Sequence, residues 1–193
     1  MLKKDQKHWY AMRDLKRRNA KEPAYLMLKD KVAQVYTPMV KRTVVVRGKR
    51  QVIDIPFVAD LLFVYDSRAV IDPIVERTRT LQYRFARGGA QGTPIVVRDE
   101  DMESFMAVTQ GSEPFKYYSM EEVSDALCGK DIIIVGGELD GCRGKLMTVR
   151  GTRKKRLVVS LGGLLAAGVL VEPDFIRLAD EAESGEEEKA ARR

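Results

Sequence analysis

After Thr109 the chain stops mixing helix-like and strand-like segments. It becomes a series of short apolar runs punctuated by glycine. Asp131–Val135, Lys145–Val149, Arg156–Leu161, Gly168–Val171 and Phe175–Leu178 recur about every ten residues, with Gly-rich turns between them. Runs this short, closely spaced and β-branched predict a small five-stranded barrel. Gly111-Ser112-Glu113-Pro114 opens a stretch without periodicity and reads as a domain boundary. With 193 residues there is room for two small domains. The expected organisation is a first domain over 1–110, a linker over 111–125, a β domain over 126–180 and an acidic, disordered tail over 181–193.

The first part reads as α+β. His8 to Arg13 is a short aromatic-rich strand. A helix follows, either capped by Asn19 and running to about Asp30 or starting at Pro23, where a missing N–H is harmless. Val32 to Val46 and Gln51 to Ile55 flank Arg47-Gly48-Lys49-Arg50, which predicts a long β-hairpin with a basic tip. Leu61-Leu62-Phe63-Val64-Tyr65 is apolar on both parities, so both faces of that strand need cover. If the chain leaves one face open, an exposed apolar face marks a partner site. A second helix is expected from Val70 to Thr78, strands over Tyr83–Phe85 and Pro94–Val97, and a third helix from Asp99 to about Val108.

Charge is distributed unevenly. The net charge is +6, yet residues 1–50 carry fifteen Lys/Arg against four Asp/Glu, so the remainder is acidic. A basic front of this kind suits nucleic acid, and equally a solvated basic surface. No run approaches the ~20 apolar residues that cross a bilayer, and the polar start lacks a signal-peptide core. A cytoplasmic protein without membrane contact is expected. Cys128 and Cys142 form no CxxC pair, and the single histidine, His8, is distant, so no metal site is expected. No phosphate loop or nucleophile–base set stands out, and neither an enzyme nor a cofactor is expected.

Two blocks together resemble the NusG family of transcription elongation factors. The first is Trp9-Tyr10, then Tyr36-Thr37-Pro38-Met39, Val46-Arg47-Gly48-Lys49-Arg50, Pro56 and Leu62-Phe63-Val64. The second is Gly129-Lys130-Asp131, Val135-Gly136-Gly137 and Gly141-Cys142-Arg143-Gly144-Lys145-Leu146, which looks like the family's KOW motif. The Pro-Met and Arg-Gly-Lys-Arg pieces look closest to specialised RfaH-like antiterminators, including the UpxY-type factors of capsule operons. The resemblance implies an α+β protein: an N-terminal NusG-type (NGN) sandwich with an antiparallel sheet, and a C-terminal KOW domain folded as an SH3-like five-stranded β-barrel.

It also implies partners. An apolar depression would receive the clamp helices of the largest RNA polymerase subunit, lined by Leu61 and Phe63 and rimmed by Phe57 and Val58. Arg13 stands where an RfaH-like protein has an aromatic. Upstream DNA would meet Arg47, Lys49 and Arg50, and non-template DNA would meet Lys16, Arg17, Arg18 and Lys21, with Arg77 and Arg79 on the same surface. The segment Val70-Ile71-Asp72-Pro73 lacks the family's second polymerase motif. Leu139, Gly141 and Gly144 mark a loop that would bind a ribosomal protein or Rho. A monomer is expected. Bland readings stand beside these: core filling for Leu61–Tyr65, a solvated turn for the hairpin tip, and barrel geometry for the glycines. A general, housekeeping NusG and a KOW-containing RNA-binding protein remain the alternatives.

Overall fold

The computed structural model describes residues 5–16, 22–86, 92–112, 114–118, 123, 128–148, 154–161 and 163–179. The chain forms two compact units, Met1–Arg98 and Asp99–Arg193.

The first unit is built on an antiparallel sheet ordered β2-β5-β1-β6, in which β7 also pairs with β1. Its strands are β1 (Lys7–Asp14), β2 (Gln34–Tyr36), β5 (Leu61–Ser67), β6 (Leu81–Tyr83) and β7 (Val96–Val97). Alternation along β1 and β5 sends Tyr10, Met12, Leu62 and Val64 to one side. There they pack with Ala24 and Leu28 at helix α1 (Ala24–Met27), with Ile71 of helix α2 (Arg68–Arg77) and with Leu81. Helix α1 is a single turn. Pro23 is its N-cap, extended at ψ 158°, so the start at Pro23 is the one adopted; Asn19 lies outside the described residues. Asp14 closes it from ten residues upstream. Its Oδ2 accepts from Ala24 N at 2.6 Å and its Oδ1 from Lys16 N at 2.9 Å.

The expected long strand from Val32 to Val46 is interrupted. After β2, Thr37 and Pro38 break the ladder, because proline has no N–H to give. β3 (Met39–Val46) then leaves the sheet and pairs only with β4 (Lys49–Pro56). Helix α2 begins two residues before the expected start, which puts Pro73 in mid-helix rather than in the first turn.

The second unit holds α3 (Asp99–Gln110) and an antiparallel sheet ordered β13-β9-β10-β11-β12-β8. The five expected C-terminal strands are β9 (Cys128–Ile134), β10 (Arg143–Thr148), β11 (Lys155–Leu161), β12 (Leu165–Val171) and β13 (Ile176–Leu178). Two features differ from the expectation. The stretch read as linker contains a sixth strand, β8 (Phe115–Tyr118), on the free edge of β12, and β8 and β13 do not pair to close a barrel. Helix α3 groups with this unit, so the division falls after Arg98. It packs on β10, β11 and β12, with Phe105 stacked on Tyr117 at 6.1 Å and Ser104 Oγ accepting from Arg143 N at 3.1 Å. The acidic tail from residue 180 lies outside the described residues.

Candidate functional site

The ladder fixes which residues share the second face of the first sheet. Trp9 lies opposite Tyr65, Ala11 opposite Phe63, Arg13 opposite Leu61, and Tyr36 beside Phe63. The aromatics pack together, with Trp9–Tyr65 centroids 5.2 Å apart and Tyr36–Phe63 centroids 6.5 Å apart. The face exists as the alternation in β5 implies, but it is not open. Leu61 is 3% and Phe63 0% exposed, so neither presents a free apolar surface. The expected rim residues are accessible: Phe57 is 40% exposed and Val58 is half-buried. Both lie in the segment leading into β5, tied down by Phe57 N donating to Pro38 O and Leu61 N to Val58 O.

A charged cluster that sequence reading did not single out as a unit stands at the end of this face. Arg13 Nε donates to Asp60 Oδ2 at 3.0 Å, and Arg84 Nη2 meets Asp60 Oδ1 at 2.9 Å. The three residues are far apart in sequence, and only the strand register joins them. A second polar group lies by the opposite face, where Tyr83 Oη donates to Asp72 Oδ1 at 2.8 Å and Arg68 Nε to the same oxygen at 3.2 Å. Burial first, then the hydrogen bond to Asp72, pushes the Tyr83 phenol far up. Burial likewise raises Tyr10, whose ring meets Tyr83 edge-on at 5.6 Å. The bond to Asp72 raises Arg68. These groups brace α2 against the sheet.

The ribbon β3–β4 stands apart. Its loop is the two residues Arg47 and Gly48, both at positive φ (51° and 76°), which is the geometry that matches strand twist in tight hairpins. Arg47, Lys49 and Arg50 are exposed, together with Lys41 and Arg42. Val45 and Val52 are about two-thirds exposed, and Val46 and Ile53 are also exposed.

The family model described as "Transcription termination factor nusG" matches residues 7–106. The chain belongs to the NusG family. It is thereby a transcription elongation or termination factor of a family that interacts with RNA polymerase. No curated protein matches the chain.

The other expected positions of this NusG-family chain divide into three groups. Lys16 and Arg79 are brought to one corner, because Leu15 N donates to Thr80 O at 2.8 Å, while Lys16 Nζ is held by Glu22 O at 2.7 Å. Arg17, Arg18 and Lys21 lie outside the described residues. In the C-terminal loop, Leu139 does not project; it is buried at 9% and helps line a groove of about 730 Å³ with Ile134, Leu170 and Phe175. Gly141 has φ 78° and open space around it, as a turn glycine needs. Gly144 serves packing, since a Cβ there would lie 2.5 Å from Val158 O. Cys142 is a buried free thiol, raised by burial and then by Asp140. Among the described residues there is no cluster of three or more metal-ligating side chains, and no helix is long and apolar enough to cross a membrane.

Proposed function

We propose that this chain is an operon-specific antitermination factor that docks on the clamp helices of the largest RNA polymerase subunit through its N-terminal unit. The observation that carries the reading is the exposed Phe57 with the half-buried Val58, in the lead-in to β5 inside the family-matched segment. In this reading Phe57 and Val58 are the surface anchors, and the buried Leu61 and Phe63 hold the strand that presents them. A few apolar anchors within a polar ring are enough to dock a helix. Docking helps keep the clamp closed on nucleic acid, which disfavours pausing and hairpin termination. The exposed basic ribbon and the Lys16–Arg79 corner favour DNA through phosphate neutralisation. The Arg-Gly-Lys-Arg tip and the loosely matching KOW block favour the specialised factor over a housekeeping one. The C-terminal unit, with Leu139 and Gly141 in the β9–β10 loop and Gly144 at the start of β10, is the candidate contact for a ribosomal protein or Rho.

The test is binding of the full chain to core RNA polymerase, wild type against Phe57→Glu. A charge at Leu61 or Phe63 would be buried and would unfold the sheet, so those positions cannot report on docking. Binding by wild type and its loss in a folded Phe57→Glu variant supports the clamp-helix reading. Retained binding in the variant moves the docking site elsewhere. If wild type binds structured RNA and not polymerase, the KOW RNA-binding alternative replaces it. Pausing assays on templates with different 5′ leaders then separate operon-specific from general action.

A further inference from the structure

The Arg13–Asp60–Arg84 cluster has an unusual arrangement for an ion pair. One carboxylate serves two guanidinium groups, with Arg13 Nε 3.0 Å from Oδ2 and Arg84 Nη2 2.9 Å from Oδ1. Among the described residues Arg84 Nε is buried with no hydrogen-bond partner, and the Arg13 side chain is about half exposed. The cluster therefore keeps a surplus positive charge and one unpartnered Arg84 nitrogen. Its backbone is rigid: Asp14 N donates to Asp60 O at 3.0 Å and Arg84 N to Ala11 O at 2.9 Å. Arg13 leaves the sheet on the same face as Leu61 and Phe63, and Asp60 follows Phe57 and Val58 by a few residues.

We propose that this cluster is a carboxylate receptor. It accepts an Asp or Glu side chain from the polymerase segment that docks against Phe57 and Val58, and so contributes to the choice of partner. The inference rests on the docking reading above and adds the chemistry of the contact. Arginine and aromatic residues are enriched at interfaces, and Asp60 of the cluster follows the exposed Phe57 in the same short segment. Asp60 ties both guanidinium groups to one carboxylate, so less ordering is left for the binding step. A protein carboxylate fits better than a nucleic-acid phosphate for two reasons. The apolar neighbours Phe57 and Val58 need an apolar counterpart. The surplus here is a single charge, whereas the β3–β4 ribbon offers five cations against one carboxylate for a phosphate backbone.

The experiment measures binding of the full chain to core RNA polymerase, and separately to duplex and single-stranded DNA, over a range of salt. Wild type is compared with Arg13→Gln, Arg84→Gln, Arg13→Lys and, as a control outside the cluster and the ribbon, the exposed Lys29→Gln, with thermal melting to verify folding. The proposal expects Arg13→Gln and Arg84→Gln to weaken polymerase binding about ten- to hundredfold, chiefly by faster dissociation. Arg13→Lys should recover only part of the loss, because lysine keeps the charge without the fork. The cluster variants should leave DNA binding unchanged, and the Lys29→Gln control should leave polymerase affinity unchanged. Wild-type affinity in folded Arg13→Gln overturns the proposal and reduces the cluster to an internal ion pair. Loss of DNA binding with polymerase binding intact overturns it in favour of a phosphate site. Failure of wild type itself to bind polymerase removes the docking reading and this proposal together, an outcome distinct from the other two.

Discussion

Single residues set how this fold responds to pH and to small additions of volume. Tyr10 and Tyr83 have phenols raised above the ordinary value of ~10 that they regain on unfolding. The unfolded chain thus ionises first. The stability from keeping them neutral is complete below pH ~10 and is lost as pH climbs toward the folded values. Tyr83→Phe should cost about 1 kcal/mol at neutral pH, through the bond to Asp72, and should flatten the alkaline loss; urea melts below and above pH ~10 check both. Two neighbouring glycines should respond differently. Gly144→Ala pushes a methyl into the Val158 carbonyl and Leu157 and should cost about 1–3 kcal/mol. Gly141→Ala meets no atoms and pays only for its left-handed backbone, about 1–2 kcal/mol. Chemical denaturation resolves the pair, and repacking around Gly144→Ala should also shift signals of Leu157. Gly141 was legible as a turn from its place between apolar runs. The packing demand at Gly144 was not, because it depends on which strand lies across from it.

At the scale of elements, the ribbon and α3 carry opposite lessons. The ribbon was legible: two β-branched arms around Arg-Gly predict a tight hairpin, and the loop is the two residues 47 and 48. Its independence from the sheet came from Pro38, whose effect on the ladder needed the partner strand to be known. Arg47 sits at φ 51° in a position that asparagine tolerates better. Arg47→Asn should therefore protect the Val46 and Lys49 amides against hydrogen exchange, by up to about 1 kcal/mol. Helix α3 was legible as a helix from its acidic first turn, Asp99-Glu100-Asp101. Its placement was not, since an amphipathic stripe does not say which sheet will bury it. Phe105 is fully buried and stacks on Tyr117, so Phe105→Ala should cost about 3–5 kcal/mol and lower the melting of the C-terminal unit. A fragment beginning at Asp99 should melt cooperatively at a higher temperature than one beginning at 126, which lacks α3 and the β8 edge.

For the whole molecule, charge asymmetry is the property that governs encounter. The acidic remainder and basic front direct approach to a polyanion through the first fifty residues. Replacing Lys49 and Arg50 by glutamine should lower the slope of log affinity for duplex DNA against log salt by about 2, without altering sequence preference. Fluorescence titration at several salt concentrations measures this directly. Phe57 and the Arg13–Asp60–Arg84 cluster lie outside that ribbon, so polymerase and DNA binding should be separable by mutation. That separation is the behaviour expected of a factor that contacts a machine and its template with different chemistry.

The sequence by itself determined the positions of most strands, the turn glycines, the basic hairpin and the resemblance to the NusG family. Each of these rests on local periodicity or on a contiguous motif. The tertiary structure decided what depends on contacts between distant residues. It put Leu165, Ala166 and Ala167 in β12, although their run is helix-friendly, because β11 pairs with all three and β8 with Ala166 and Ala167 on the other side. It buried Leu61 and Phe63 and left Phe57 as the accessible anchor. It gathered Arg13, Asp60 and Arg84 into one cluster through strand register. Burial, register and ion pairing are sums over neighbours, and a linear pattern names the residues without naming their neighbours.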